Sequence, residues 1–538
     1  MCVKIRTVRR PHNRPLGWIL SGPTGNQESP SEEASVLNCV LTQDVNSLLQ
    51  RFWEDEEISL SPPLTEEEER CERHFDDTHS RSQDGRYVVR LPFKHAPPID
   101  IGDSLSIVLS CYNRLEKRLE SRAEICSQYS DFLEEYRSLG HMKPVASMDR
   151  TDFIPVYIPH HPVLREASCT TKLRVVFNAS CKTRNGSSLN DHLLIGPKLQ
   201  QDLPAVLLRW RQWCYVYTAD IAKMFCHIRI HPLDADFQRI FWLMYGLAPA
   251  PYLAMRVLKQ LALDEGNAYP SAVSILQDFI YVDDALFGAD DVRSLTDTRF
   301  QLVELMKKEG FQLRKWASNS SDLLRDLSAD QPEVTDHLIL KDESLKVLGL
   351  SWLPLKDVFR FIVNFVAPDT PTKRSILSFV ARLYDPLGWA APVVIVAKIL
   401  LQELWFLRCD WDAPLPDTLL QRWSDYVAEL ESLNEIRIPR WTGQHPSDLA
   451  YEIHGFADAS SRAYAAVVYL RVLHSMSSFQ ISLLVAKTKV ASVKTASIPR
   501  LELNAIVLLS RLIKWTLSSL RIPSTPVYGW TDSSITLA

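Results

Sequence analysis

The chain has 538 residues, with 60 Lys and Arg against 65 Asp and Glu, a formal net charge of −5, 46% hydrophobic and 23% charged residues. That length and balance give a globular protein with several domains and ample core, and the net acidity excludes a uniformly basic, nucleic-acid-coating surface. Ten cysteines, no two of them spaced Cys-x-x-Cys, exclude a zinc or dithiol motif and read as reduced thiols.

The N-terminus, Met1 to Arg6, has no hydrophobic segment, and the longest apolar stretch, around Ala390 to Leu401, is broken by Lys398 and too short to span a bilayer. With no signal peptide or transmembrane segment, the expected location is intracellular, in a cytoplasmic particle or the nucleus. Residues 1–35 are rich in Pro, Gly and Ser and read as irregular chain. Residues 36–75 begin with apolar helical periodicity and end in acid, including Glu54 to Glu57 and Glu66 to Glu69. Over 103–140, Leu105, Val108, Leu109, Tyr112, Leu115 and Leu119 recur at three- and four-residue spacings, which predicts helix throughout. Residues 151–200 switch to short strands and turns, with a local basic patch at Arg165, Lys172, Arg174, Lys182 and Arg184 that suits phosphates. Residues 200–350 mix helices and strands. A helical section follows from Thr372 to Leu433, interrupted at Pro386 and Gly388. Strands return from Asp448, then a helix from Arg500 to Leu520, then a strand into Trp530-Thr531-Asp532. No internal repeat is present.

Chemistry concentrates in Phe279-Ile280-Tyr281-Val282-Asp283-Asp284-Ala285-Leu286-Phe287-Gly288, where apolar runs flank two adjacent carboxylates. This reads as two buried strands joined by a tight turn with both acids at its tip. Asp220 ends another strand-like run, Val216-Tyr217-Thr218-Ala219-Asp220. Three carboxylates gathered from two such elements would hold a pair of divalent cations, the apparatus of nucleotidyl transfer. On the tetrapeptide alone, the alternative that Asp-Asp merely favours a turn stands level with it.

A longer order of motifs surrounds these acids. Lys172-Leu173-Arg174-Val175-Val176-Phe177-Asn178 places two cations before a β-branched strand, suited to a triphosphate as charge-assisted donors. Tyr217 to Phe225, Tyr245-Gly246-Leu247, the Tyr281-Val282-Asp283-Asp284 turn, Gly310-Phe311-Gln312-Leu313-Arg314-Lys315-Trp316 and Val347-Leu348-Gly349-Leu350-Ser351-Trp352 follow. The order resembles the motifs of reverse transcriptases. With Gly85 to Pro92, Ser187 to Asp191, Leu383-Tyr384-Asp385-Pro386-Leu387-Gly388-Trp389 and Ile498 to Leu503, the chain resembles the Pao/BEL class of LTR retrotransposon polyproteins over almost its whole length.

The resemblance implies an α+β fold: an antiparallel fingers-and-palm sheet backed by helices, a helical thumb or connection, and a truncated RNase H-like α/β domain. The implied boundaries are 1–30 for a remnant of an aspartic protease C-terminus, 31–150 for an acidic helical linker, 151–365 for fingers and palm, 366–445 for thumb or connection, and 446–538 for the RNase H-like domain. It implies an RNA-directed DNA polymerase of the DNA polymerase superfamily, a nucleotidyltransferase acting on dNTPs and an RNA or DNA primer–template with Mg²⁺ or Mn²⁺. Asp220, Asp283 and Asp284 are then the metal ligands, and Lys315 the proton donor to pyrophosphate. Lys172 and Arg174 hold the triphosphate, Phe225 gates against the ribose 2′-OH, and Gly246 starts the template-contacting turn. Leu348, Gly349, Leu350 and Trp352 form the primer grip. As plain sequence, Phe225 also reads as core and Lys315 as a solvated cation beside Trp316.

A second constellation lies downstream. Asp458 ends the run Gly455-Phe456-Ala457-Asp458, Glu502 lies in the predicted helix, and Asp532 follows Val527-Tyr528-Gly529-Trp530-Thr531. Strand Asp, helix Glu, strand Asp resembles RNase H, whose carboxylates gather two metals for phosphodiester hydrolysis. Singly, each acid reads as a surface or capping residue. The family's fourth carboxylate lies further on, and the sequence ends at Ala538. Two further departures shape the expectation. Phe241-Trp242-Leu243 runs directly into Met244-Tyr245-Gly246 where relatives carry an extra turn and strand, and Pro15 to Pro23 resembles the last strand of a retroviral-type protease although no Asp-Thr-Gly or Asp-Ser-Gly occurs. The alternative reading is therefore a catalytically inactive, element-derived nucleic-acid-binding relic.

Overall fold

The protein is mixed α+β in a computed structural model that describes residues 12–14, 17–19, 63–142, 155–164, 173–239, 247–330, 344–364, 370–492, 496–522 and 524–534. Lys172, Gly246, the Phe241 to Gly246 junction and most of the 1–62 stretch lie outside the described residues. Where a protease strand was expected, β1 (His12–Arg14) and β2 (Gly17–Ile19) pair antiparallel.

The acidic run at 66–69 opens a helix, Glu66–Thr78. Thr65 accepts the Glu68 amide, and the Glu68 carboxylate accepts the Thr65 amide at 2.8 Å, a reciprocal cap that sets four acids at the positive end of the helix dipole. Strands β3 (Ser80–Arg81) and β4 (Tyr87–Val89) follow. The periodic stretch over 103–140 is two helices, Leu105–Glu120 and Ala123–Ser138. The chain breaks at Arg122, which leaves helical geometry (φ −137°, ψ 70°) while the apolar period continues on both sides. Both helices pack on the hairpin of β5 (His160–Leu164) and β6 (Leu173–Phe177) through Leu115, Tyr129, Leu133, Leu173, Val175 and Phe177.

The central sheet is antiparallel. It contains β7 (Tyr215–Ile221), β9 (Ile280–Tyr281), β10 (Asp284–Ala289) and β11 (Leu313–Ser318) in the order β11-β7-β10-β9, while the short β8 (Arg229–Ile230) pairs with β4. Tyr217, Ala219 and Ile221 of β7, with Ala285 and Phe287 of β10, face the helices Ala250–Glu265, Pro270–Asp278 and Val292–Lys307. Strand alternation turns Thr218, Asp220 and Asp284 to the opposite face. A second small sheet joins β12 (Leu345–Val347), β13 (Leu350–Leu353), β14 (Val358–Arg360) and β15 (Arg437–Pro439). The helical section is interrupted at Pro386 and Gly388 as expected, giving helices Lys373–Val380, Ala391–Phe406 and Asp417–Glu429 around Phe379, Leu400, Leu404 and Trp423.

The last sheet runs β18 (Ser478–Val490), β17 (Ala463–Ser475), β16 (Ala450–Ala459), β19 (Val527–Trp530), with β19 parallel to β16 and the others antiparallel. The helix Ile498–Leu520 crosses from β18 to β19 and buries Ala505, Leu508, Leu509 and Leu512 against Ile453, Val468 and Leu470. It is long and apolar enough to cross a membrane, although the longest apolar run lies around Ala390 to Leu401, and its buried face packs on this sheet. Gly455 permits that packing: a Cβ there would lie 2.6 Å from Leu509 Cδ1.

One apolar core takes in Trp210, Val216 and Leu286 beside the central sheet, Trp352 and Phe359 of the second sheet, and Ile453, Val468 and Leu509 of the last. Two buried arginines close this junction. The Arg440 guanidinium donates to both Asp357 oxygens at 2.6 and 2.7 Å and to the carbonyls of Trp210, Trp213 and Cys214. Arg211 donates to the carbonyls of Pro439, Arg440 and Leu483 and lies over the Trp389 ring.

Candidate active sites

The first site is built by register. Asp284 of β10 is the direct cross-strand partner of Asp220 on β7, which is in turn the partner of Arg314 on β11. Opposed residues on adjacent strands share a face, so carboxylate, carboxylate and guanidinium form one row. Asp283 sits in the two-residue turn between β9 and β10, and its carbonyl accepts the Ile221 amide at 2.7 Å, which ties the turn to the end of β7. The other turn residue, Val282, has φ 56°, a left-handed conformation that costs a β-branched side chain about 1–3 kcal/mol.

Charge crowding follows. Burial first, then the charge of Asp220, raises the Asp283 carboxyl above its usual range, with Lys315 and Arg174 pulling it back. Asp284 is pushed up to about 7 by burial and then by Asp283 and Asp220. Carboxylates that resist one another's ionisation are a donor set that a divalent cation relieves. Asp220 is also engaged from the other side: Arg314 Nε donates to Oδ1 at 3.1 Å and Lys315 Nζ to Oδ2 at 3.0 Å. Consecutive strand residues ordinarily point to opposite faces. Here the β11 register shifts between Arg314 and Ala317 and Lys315 takes φ 53°, a bulge that brings both cations onto one carboxylate.

The neighbouring predicted residues fall as follows. Arg174 is on the exposed side of β6, close enough for its charge to act on Asp283. Phe225 is half-buried against the central core, two residues past Lys223, whose ammonium pairs with Glu135. Leu348 and Gly349 form the tight turn of the β12–β13 hairpin, with φ 48° and 88°. The side chains of Leu348, Leu350 and Trp352 are buried in the shared core, so this hairpin presents its backbone and turn, not those side chains. Gly349 lies under the Tyr384 ring, since a Cβ would come within 2.6 Å of Tyr384 Cε1, and Tyr384 lies near Tyr281.

The second site brings Asp458, Glu502 and Asp532 together, with ligand oxygens all within 4.8 Å of one another. Asp458 is near the end of β16, Asp532 lies just past β19, and the parallel pairing of those strands up to Phe456 and Trp530 puts both acids at the same sheet end. The crossing helix delivers Glu502 from its second turn. Glu502 is buried, and its Oε2 has no hydrogen-bond partner among the described residues. Burial, then the charges of Asp458 and Asp532, raises its carboxyl. A buried oxygen left unsatisfied beside two exposed carboxylates fits a cation.

Residues 372–533 match the family described as the Pao retrotransposon-like RNaseH-like domain. This stretch is similar to the RNase H-like domain of Pao-type retrotransposons. The matched span takes in the helical section as well as the last sheet. Among solved structures, the foamy viral protease-reverse transcriptase in complex with RNA/DNA hybrid is similar at 14% identity and TM-score 0.46, over 72% of this chain and 46% of that one. The foamy viral protease-reverse transcriptase dRH in complex with double-stranded DNA is similar at 13% identity and TM-score 0.48, over 95% and 78%. The chain thus spans less than half of the first. No curated protein is detectably similar in sequence. Four residues carry weight that the sequence left unassigned: Arg314, Arg211, Arg440 and Tyr384. Two of them had a signal: Tyr384 by its place in the Leu383 to Trp389 motif, and Arg314 by its place in the Gly310 to Trp316 motif.

Proposed function

We propose that this chain is a reverse transcriptase, an RNA-directed DNA polymerase that extends a primer on RNA or DNA with dNTPs and carries an RNase H activity. The observation that carries the reading is the Asp284–Asp220 cross-strand pair with Asp283 tied to the end of β7. The two inner strands and the turn between β9 and β10 present three carboxylates at one end of the sheet, with Arg174 and Lys315 beside them. The proposed units are fingers and palm over 151–365, thumb or connection over 366–445 and the nuclease over 446–538.

Asp220, Asp283 and Asp284 would hold Mg²⁺ or Mn²⁺, which supplies Lewis-acid stabilisation of the primer hydroxyl and the α-phosphate. Arg174 orients the triphosphate as a charge-assisted donor, joined by Lys172 from the same segment. Lys315 gives a proton to the departing pyrophosphate. Phe225 closes the space that a ribose 2′-OH would need, Gly246 opens the template turn, and the β12–β13 hairpin steadies the primer with its turn at Leu348 and Gly349. Asp458, Glu502 and Asp532 would hold a divalent cation, which would supply an activated water for phosphodiester hydrolysis.

Primer extension by the purified chain tests the reading. Asp283→Asn is expected to lower extension at least about 100-fold while leaving hybrid cleavage intact, and Glu502→Gln the reverse. Extension that survives Asp283→Asn refutes the assignment. The second reading, a binding relic, is favoured by the double engagement of Asp220 by Arg314 and Lys315. It predicts primer–template affinity with no extension under any divalent metal.

A further inference from the structure

Arg314 has no place in the roles above, yet it makes one of the two ion pairs on Asp220 and is fixed there by register. We propose that Arg314 is a positioning residue that couples metal binding to nucleotide binding, and this rests on the polymerase reading. The guanidinium occupies Asp220 Oδ1, an oxygen that a cation needs. Lys315 takes Oδ2. Both side chains are partly exposed, at 40% and 33%, so each can leave Asp220 without opening the core. Both are donors suited to a polyanion, and Arg174, whose charge reaches Asp283, marks where that polyanion is drawn. An arriving triphosphate offers the two cations stronger acceptors than a single carboxylate does. As they turn to it, the Asp220 oxygens become free for the metal. Nucleotide and metal then favour each other reciprocally, and the site holds metal poorly when no nucleotide is present.

The bulge is what makes the arrangement specific. In an unbroken strand, only one of the two consecutive cations would face Asp220. The left-handed Lys315 keeps both on it, at a backbone cost that a purely structural strand would avoid.

The test measures Mn²⁺ binding by electron paramagnetic resonance on the full chain, with Asp458→Asn silencing the second site, with and without an α,β-methylene dNTP. The site of interest is the one lost in Asp283→Asn. The analogue is expected to tighten Mn²⁺ about tenfold, within the usual range of coupling between sites. Arg314→Gln is expected to tighten nucleotide-free Mn²⁺ several-fold and shrink the coupling, and Arg314→Lys to restore it. A purely structural arginine would not show that pattern. Coupling unchanged in Arg314→Gln, or nucleotide-free binding weakened by it, overturns the inference alone. Absence of any Asp283-dependent Mn²⁺ site overturns the polymerase reading and the inference with it.

Discussion

Glu309 is enclosed at the end of the Val292–Lys307 helix, where its two oxygens accept the Tyr87 amide at 2.9 and 2.8 Å. Burial raises its carboxyl to about 8, against the pull of that amide and of Arg81 and Arg86. An unfolded glutamate ionises near its ordinary value of 4.5, so between there and about 8 the folded chain keeps a proton that the unfolded chain has released. This contribution is complete at low pH and is lost as pH rises through about 8. Glu309→Gln carries no such titration. The wild type should therefore lose about 2–4 kcal/mol more stability than the variant between pH 5 and 8.5. Urea unfolding at both pH values checks this, and parallel losses in the two proteins would sink it.

The loop Leu383 to Trp389 latches the helical section to the last sheet. Asp385 accepts the Trp389 amide at 2.9 Å and the Ala390 amide at 2.6 Å, the Trp389 indole donates to the Leu484 carbonyl, and the Ala486 amide donates to Leu387. Gly388 has φ 71°, and a Cβ there would sit 1.8 Å from the Ala486 carbonyl oxygen. Gly388→Ala is expected to cost more than about 3 kcal/mol and to expose the 484–490 edge to limited proteolysis. An equally resistant variant would show that the latch is dispensable. The outline of this element was legible in the sequence, because Pro386 and Gly388 interrupt the helical period. So was the acid hairpin at 281–284, because apolar runs flank it on both sides. The bulge at Lys315 was not legible: Leu313-Arg314-Lys315-Trp316 reads as an ordinary strand, and a register shift leaves no mark in residue type. The helix break at Arg122 was hidden for a related reason, since the apolar period runs through it. Apart from Asp357, the partners of Arg211 and Arg440 are backbone carbonyls, and carbonyls are the same in every residue.

At the scale of the molecule, the shared core and the two arginines make one cooperative body of the central sheet, the second sheet and the last sheet. Asp357 is the counter-charge on which this rests, since it also accepts the Trp352 indole at 3.1 Å and the Asn319 amide at 3.2 Å. Removing one partner of a buried pair strands the other charge and costs about 3–5 kcal/mol. Urea unfolding followed by tryptophan fluorescence is expected to show these three sheets melting in a single step in the wild type. In Asp357→Ala that step should split in two, with the last sheet separating first. A single unaltered step would refute the coupling.

Arg440, lodged under Trp210 and clasping Asp357, also bears on how such elements evolve. Recombination that swapped only residues 372–533 for a diverged counterpart would import an arginine without its socket, or a socket without its arginine. Lineages should therefore inherit the segments on either side of residue 372 as a linked haplotype, and their gene trees should agree.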